Sequence, residues 1–275
     1  MSARRSLHFG ANYPGTSAEL AGCVNDAEDW ALAAHGLGYL PALHREPTRE
    51  TLLKQLTDAV TGLRYRDRLL VTYSGHGTWV PDRDGDEPDG RDEALVPVDY
   101  RTAGLVLDDH LHAIWQQVPF GARVVFVSDS CHSGSVSRFM QPRATPVVAY
   151  GVHRDLNRAR FLSPIEVLPW GSDVVRIERA AALPVTGTPR PSRVALLSGC
   201  RDDEVSYDAH IGGRPRGAAS WAYLDALQVL AGSGRPSPSL RTWHAAAADI
   251  ISRSPYSQQH PQLQASTWQQ RTWTL

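Results

Sequence analysis

This sequence predicts a three-layer α/β fold, with a largely parallel sheet packed between helices, and two features carry that expectation. The first is a pair of short apolar runs, Leu69-Leu70-Val71-Thr72-Tyr73 and Val124-Val125-Phe126-Val127, each followed by serine- and glycine-bearing turns, the pattern of strands buried on both faces. The second is the alternation of such runs with segments whose apolar residues recur at helical spacing. A first strand is expected around Leu7 to Gly10, then a helix from about Val24 to His35 that stops near Gly36 and Gly38. Thr48 caps a second helix reaching about Gly62, which leads into the first apolar run. Asp108 opens a short helix through Gln117 ahead of the second run. Arg193 to Ser198 reads as a further strand, and Ala218 to Ala231 and Leu240 to Ser252 as helices. No internal repeat is present.

Length and charge narrow the function classes. At 275 residues and 42% hydrophobic, the chain can bury a substantial core. A net charge of −1 offers no footprint for nucleic acid or an anionic membrane. No apolar stretch reaches the roughly 20 residues a bilayer needs, and Met1-Ser2-Ala3-Arg4-Arg5 leads into a strand rather than a secretory segment, so a cytoplasmic protein is expected. Three cysteines in a chain of this length do not make a disulfide scaffold, and a reducing compartment suits a working thiol.

One of those cysteines stands out by position. Asp129-Ser130-Cys131-His132-Ser133-Gly134 follows the second apolar run, and Ser74-Gly75-His76-Gly77 follows the first, with His76 55 residues before Cys131. A parallel sheet delivers the residues at its carboxyl edge to one crevice, so neighbouring strands would bring the two side chains together. A free thiol is only a few per cent ionised at neutral pH, and an adjacent imidazole makes it a competent nucleophile. Gly75 and Gly77 leave room for a substrate backbone, and the amides of Gly77 and Cys131 are candidate oxyanion donors. A core cysteine and a glycine-flanked turn histidine are the plainer alternatives for either motif alone. His132 is adjacent to the cysteine in sequence, but successive residues generally point apart, which leaves the base role with His76.

At these residues the sequence resembles the caspase-like clan of cysteine peptidases, in particular its metacaspase branch with the bacterial orthocaspases. The resemblance rests on Tyr73-Ser74-Gly75-His76-Gly77, Asp84-Gly85-Asp86-Glu87, Asp89-Gly90-Arg91-Asp92-Glu93, Val96-Pro97-Val98-Asp99 and Asp129-Ser130-Cys131-His132-Ser133-Gly134. Gly10-Ala11-Asn12-Tyr13, Gly22-Cys23-Val24-Asn25-Asp26-Ala27 and Gln259-His260-Pro261-Gln262-Leu263 extend it over nearly the whole chain. The glutamine and alanine that precede the cysteine in animal caspases are absent. The resemblance implies a caspase-like fold in a single domain over 1–275: a large-subunit-like part over about 1–134, an irregular linker over 135–193 and a small-subunit-like part over 194–275.

It also implies protein or peptide substrates with arginine or lysine before the scissile bond. Motif alignment builds the acidic pocket from Asp26 and Asp129, with Cys23 and Ser74 beside them. Two carboxylates in a partly desolvated pocket favour a guanidinium by charge and by forked hydrogen bonding, which puts arginine ahead of lysine. Read alone, Asp26 is also a first-turn helix acid and Asp129 a turn residue. The chemistry needs no cofactor. Asp92, Asp108 and Asp109 match positions that bind activating Ca2+ in many metacaspases, and such oxygen ligands suit that cation. A solvated loop with an acidic helix start is the alternative there, because Ser135-Val136-Ser137-Arg138 lacks the acid that often completes the site. The Asp82 to Glu93 stretch is not an EF-hand, since Glu87 and Pro88 stand where its turn needs glycine.

Residues 135–193 hold nine arginines against four acids and little periodicity. Long irregular segments in compact domains are usually functional or mobile, and in this clan processing falls between the two subunit-like parts. Self-cleavage there, cleavage by an upstream protease, and a solvated insertion are the three readings. Cys200 follows a strand much as Cys131 does but has no His-Gly partner of its own; it is expected near the substrate groove. Trp221, Trp243, Trp268 and Trp273 read as packing, and the remaining histidines lack compact zinc spacing. The sequence thus points to a cysteine endopeptidase, with prokaryotic relatives implying a stress, cell-death or antiviral effector activated by processing. The competing class is a non-catalytic binding or regulatory module, which has no need of both Cys131 and His76.

Overall fold

In the computed structural model the described residues are 2–81, 91–131, 158–167, 193–201, 204–232 and 238–275. The chain runs β1 (Arg4–Gly10), α1 (Cys23–Gly36), β2 (Leu40–Arg45), α2 (Arg49–Thr61), β3 (Arg68–Ser74), β4 (Gly77–Pro81), β5 (Arg91–Leu95), α3 (Tyr100–Ala103), β6 (Val106–Leu107), α4 (Asp108–Trp115) and β7 (Arg123–Asp129). It continues through β8 (Arg158–Ala159), α5 (Pro164–Val167), β9 (Val194–Ser198), β10 (Tyr207–Ile211), β11 (Arg214–Gly217), α6 (Ala218–Gly232), α7 (Leu240–Ser252), β12 (Gln262–Gln264) and α8 (Thr267–Thr272).

The main sheet has six strands in the order β2-β1-β3-β7-β9-β12; all pairs are parallel except that of β12, which closes the edge antiparallel to β9. Its two faces explain the continuous apolar runs. Leu69, Val71, Val124 and Phe126 pack in a core with Leu52, Leu56 and Ile114 of α2 and α4. Their neighbours Leu70, Val125 and Val127 pack on the other side with Trp30, Tyr223 and Trp243 of α1, α6 and α7. Every second residue serves one layer, so a strand between two helical layers can be apolar throughout. Burying each such side chain stabilises the fold by about 1.5–3 kcal/mol, which outweighs the modest strand propensity of any single residue. The helix and strand positions expected from periodicity are all present, and Thr48 caps α2 by accepting the amide of Thr51.

Two small sheets were not legible in the sequence. The acidic stretch expected as a loop is flanked by the hairpin strands β4 and β5, which join β6 in a small antiparallel sheet. Residues 82–90, 132–157 and 168–192, and with them His132 and most of the linker, lie outside the described residues. A second small sheet, β8-β10-β11, uses two linker residues as an edge strand. In the described part of the linker Arg158 and Ala159 are exposed on this edge, while Arg160 and Leu162 are buried. Trp243 and Trp273 are buried, Trp221 packs half-buried against the same core, and the exposed Trp268 meets the Trp273 ring edge-on at 6.4 Å.

Strand order reverses at β1 and β3, where β2 lies on one side and β7 and β9 on the other. In an open parallel sheet this is where a crevice forms beyond the carboxyl ends. The segments that leave those ends are Ala11–Tyr13, Gly75–Gly77 and Ser130–Cys131.

Candidate active site

His76 and Cys131 leave adjacent strands, with Ser74 paired to Asp129 in the last register position of β3 and β7. Two tyrosines fix the peptide groups around His76. Its amide donates to the Tyr13 hydroxyl at 2.9 Å, its carbonyl accepts the Tyr73 hydroxyl at 3.0 Å, and both hydroxyls reach Val96 O. The Tyr13 and His76 rings lie 4.9 Å apart. His76 Nε2 donates to the Ala18 carbonyl at 2.8 Å, which leaves Nδ1 as the unprotonated nitrogen, buried and without a hydrogen-bond partner. Burial pushes the imidazole down to about 4, so it is neutral at physiological pH. The sulfur of Cys131 accepts the Ser206 amide, and its thiol donates to Ser206 O at 3.4 Å. Cys200 sits beside it, as expected, and its thiol is pushed well up by a hydrogen bond with Cys131 and by burial.

The expected acidic pocket is occupied by the chain itself. Arg160 is wholly buried and its guanidinium meets three carboxylates, Asp26 at 2.7 Å, Asp208 at 2.9 Å and Asp129 at 3.1 Å. Nη2 serves Asp26 and Asp208 while Nη1 serves Asp129, so both ends of the guanidinium fork are used. Burial opposes its charge, but Asp129, Cys23, Asp26 and Asp208 together hold it well above its ordinary value. Burial also raises Asp26 to about 7 against the pull of Arg160. Three acids around one cation carry excess negative charge, and a proton on Asp26 relieves it.

Each carboxylate is held by main-chain amides. Asp129 accepts Ser220 N at 2.7 Å and the Ser206 hydroxyl; Asp26 accepts Gly217 N at 3.0 Å; Asp208 accepts Ala21 N at 2.8 Å and Gly22 N at 3.0 Å. Asn12 caps α1 by accepting Cys23 N and Val24 N, which sets Asp26 in the first turn facing the pocket. Gly217 has no substitute here, because a Cβ would overlap both Asp129 and the Arg160 guanidinium. Cys23 and Ser74 lie alongside without bonding Arg160. Cys23 is buried at the start of α1 and raised by burial, and the Ser74 hydroxyl pairs with that of Ser220. Gln259 braces the far wall through Gly199 O at 2.7 Å and the Ser206 hydroxyl at 3.0 Å.

The backbone of the same segment completes the geometry. Arg160 O accepts Gly77 N at 3.0 Å and Cys131 N at 3.1 Å, and Arg160 N donates to Ser206 O at 2.9 Å. Arg158 and Ala159 pair antiparallel with Asp208 and Tyr207, and Leu162 N donates to Gly77 O at 3.1 Å. The segment thus leaves β8, bends at Arg160 and bridges to Gly77 at Phe161, with its arginine in the acid pocket and that arginine's carbonyl on two amides.

Asp92 on β5 and Asp108 and Asp109 at the start of α4 share one corner, since Ala94 pairs with Leu107. Their oxygen ligands suit calcium, yet among the described residues no three His, Cys, Asp or Glu side chains are grouped so as to hold a metal ion. The acidic residues 82–90 that precede β5 lie outside the described residues, and no catalytic step is routed through this corner. Among the described residues no helix is long and apolar enough to cross a membrane.

A family profile described as "Metacaspase, peptidase C14 domain" matches residues 4–139. Metacaspase-1B of Aspergillus oryzae is 31% identical over 96% of this chain and 68% of its own length, and Metacaspase-1A of Neurospora crassa is 32% identical over 82% and 56%. The chain thus spans between 56% and 68% of the length of these relatives. Among solved structures, a protein from Geobacter sulfurreducens superposes with a TM-score of 0.73 at 26% identity, over 99% of both chains. Caspase-1 from Spodoptera frugiperda shares the fold, with a TM-score of 0.58 at 13% identity over 100% of this chain and 89% of its own. Sequence, fold and relatives agree: the chain belongs to the metacaspase family of C14 peptidases.

Proposed function

We propose that this chain is a cysteine endopeptidase that cuts after arginine, with Cys131 as nucleophile and His76 as base, and that the Arg160–Phe161 bond is the first it cuts. The placement of Arg160 carries this reading: its side chain sits on three carboxylates while its carbonyl oxygen receives one amide from beside each reacting residue. The thiol proton passes to His76 Nδ1 as the sulfur attacks the Arg160 carbonyl carbon. Charge developing on the oxygen is met by the Gly77 and Cys131 amides. The proton then moves from Nδ1 to the Phe161 nitrogen as the C–N bond breaks, and water releases the Arg160 acyl group from the sulfur. Until that cut, the pocket an outside arginine needs is filled. A lysine has a single ammonium and cannot reach both ends of the carboxylate set, which favours arginine.

Purified protein should convert to fragments 1–160 and 161–275 in a first-order process independent of concentration, read by intact mass and by an amino-terminal sequence starting at Phe161. Arg160→Gln should abolish that cut. An intact wild-type chain that hydrolyses added arginyl peptides would refute this bond, and no hydrolysis of either kind would refute the peptidase reading. Without a second protease present, the same conversion argues against a need for upstream activation. Calcium enters only as an activator acting at the Asp92, Asp108 and Asp109 corner, and an unchanged rate in excess chelator would remove it.

The acidity of His76 gives a second check. The imidazole acts as a base only when neutral, and in the filled groove its value is about 4, so self-cutting should hold from neutral pH to about 5 and fall about tenfold per unit below 4. In the emptied groove burial is relieved, and hydrolysis of added peptides should lose activity at a higher pH, towards the ordinary value of about 6.5. Coincident acid limbs would contradict this assignment.

A further inference from the structure

Resting on the arginine-cleaving reading, we propose that the groove reads a second side chain on the departing side of the bond. This is an apolar cup for the residue two places after the arginine, so that the substrate class is a chain carrying arginine, any residue, then a leucine-sized apolar residue. Arg160 and Leu162, two residues apart across the bond, are both buried, whereas Arg158 and Ala159 are exposed and Phe161 between them is half-buried. The chain therefore offers two side chains to the protein across the bond, one charged and one apolar.

Leu162 packs in a cluster whose walls include Tyr13, Ala18, Leu20 and Val96, none of them from the threaded segment. Its backbone is fixed by Leu162 N donating to Gly77 O at 3.1 Å, while Gly77 N donates to Arg160 O at 3.0 Å. One residue of the protein thus grips the segment on both sides of the scissile bond, setting the register that drops Leu162 into the cup. Two walls of the cup also belong to the base. Tyr13 holds the His76 amide, and the Ala18 carbonyl accepts from His76 Nε2. A side chain that fills the cup packs against the residues that position the imidazole, so its effect should fall on turnover as well as on binding.

The test uses enzyme that has completed its own cut and internally quenched peptides built on the chain's residues 158–163, with the leucine retained or replaced by alanine, glycine or aspartate. Loss of a leucine-sized apolar contact should lower kcat/KM about 10- to 100-fold, with aspartate lowest, while alanine in place of the phenylalanine costs less than about threefold. An arginyl-coumarin substrate, which has nothing two places beyond the arginine, reports on arginine cleavage alone. Hydrolysis of that substrate with equal rates on all the peptides would overturn the cup and leave the arginine reading standing; failure to hydrolyse it would overturn both. In the chain itself, Leu162→Asp should slow the appearance of the 161–275 fragment by a similar factor.

Discussion

Cys131→Ala should leave the chain in one piece and without activity on any arginyl peptide. Losses on removing such a nucleophile run to about 10⁴-fold or more, because what survives is only the binding of substrate and the amides that meet its oxygen. Those parts remain in the variant. The Cys131 amide still reaches Arg160 O, and the three carboxylates still hold the guanidinium, since none of these contacts uses the sulfur. The variant should therefore fold and melt close to the wild type while showing no 161–275 fragment, as read by gel and thermal denaturation. His76→Ala should be comparably impaired, and the double variant no worse than Cys131→Ala alone, the non-additivity expected of groups acting on one step. Fragments from Cys131→Ala at the wild-type rate would end the proposal.

Asp129→Asn should lower kcat/KM on arginyl peptides by about 100-fold or more, a larger effect than Asp26→Asn at neutral pH. Breaking one partner of a buried ion pair costs about 3–5 kcal/mol, and each 1.4 kcal/mol is a factor of ten. Asparagine at position 129 also points a donor at donors, because the two carboxylate oxygens of Asp129 now take the Ser206 hydroxyl, the Ser220 amide and Arg160 Nη1. Asp26 differs because burial raises it to about 7, so near neutrality it already spends much of its time protonated. The sign follows: a folded value above the ordinary 3.8 means the charge is present only above about 7, and the Asp26→Asn deficit should grow as pH rises through that value. Steady-state kinetics at about pH 6 and 8 would separate the two residues; equal deficits at both would contradict the assignment.

Much of this site was legible from strand ends. Two apolar runs in a parallel sheet forecast that Cys131 and His76 would share a crevice, and the resemblance added Asp26 and Asp129 to it. Asp208 was not foreseen, because it reaches the pocket from an antiparallel hairpin, and nothing in Tyr207-Asp208-Ala209-His210 marks it as facing Asp26. Arg160 was one of nine arginines in an irregular segment, and only the fold distinguishes the one whose backbone pairs with Ser206 and Gly77. Tyr13 and Tyr73 lay within the quoted motifs, but their task, holding the two sides of the His76 peptide, depends on a three-dimensional convergence at Val96. The small β4-β5-β6 sheet was missed because the short runs of its strands give periodicity little to detect.

The partner that orients His76 is a main-chain carbonyl, and every residue type except none supplies one. Replacing Ala18 by another small residue should therefore matter little to the imidazole, whereas the path from Tyr13 to Leu20 matters a great deal. That path is closed by Leu20 N on Asn12 O at 2.8 Å and turned by Thr16 N on Tyr13 O at 3.3 Å, with Tyr13 itself at φ 53°. Loop length, more than the side chain at position 18, becomes a constraint on where the acceptor sits. Two chains that differ at Ser17 and Glu19 and carry another small residue at position 18 can share the same base geometry, and inserting a single residue there would misplace the acceptor while leaving all the recognisable motifs untouched.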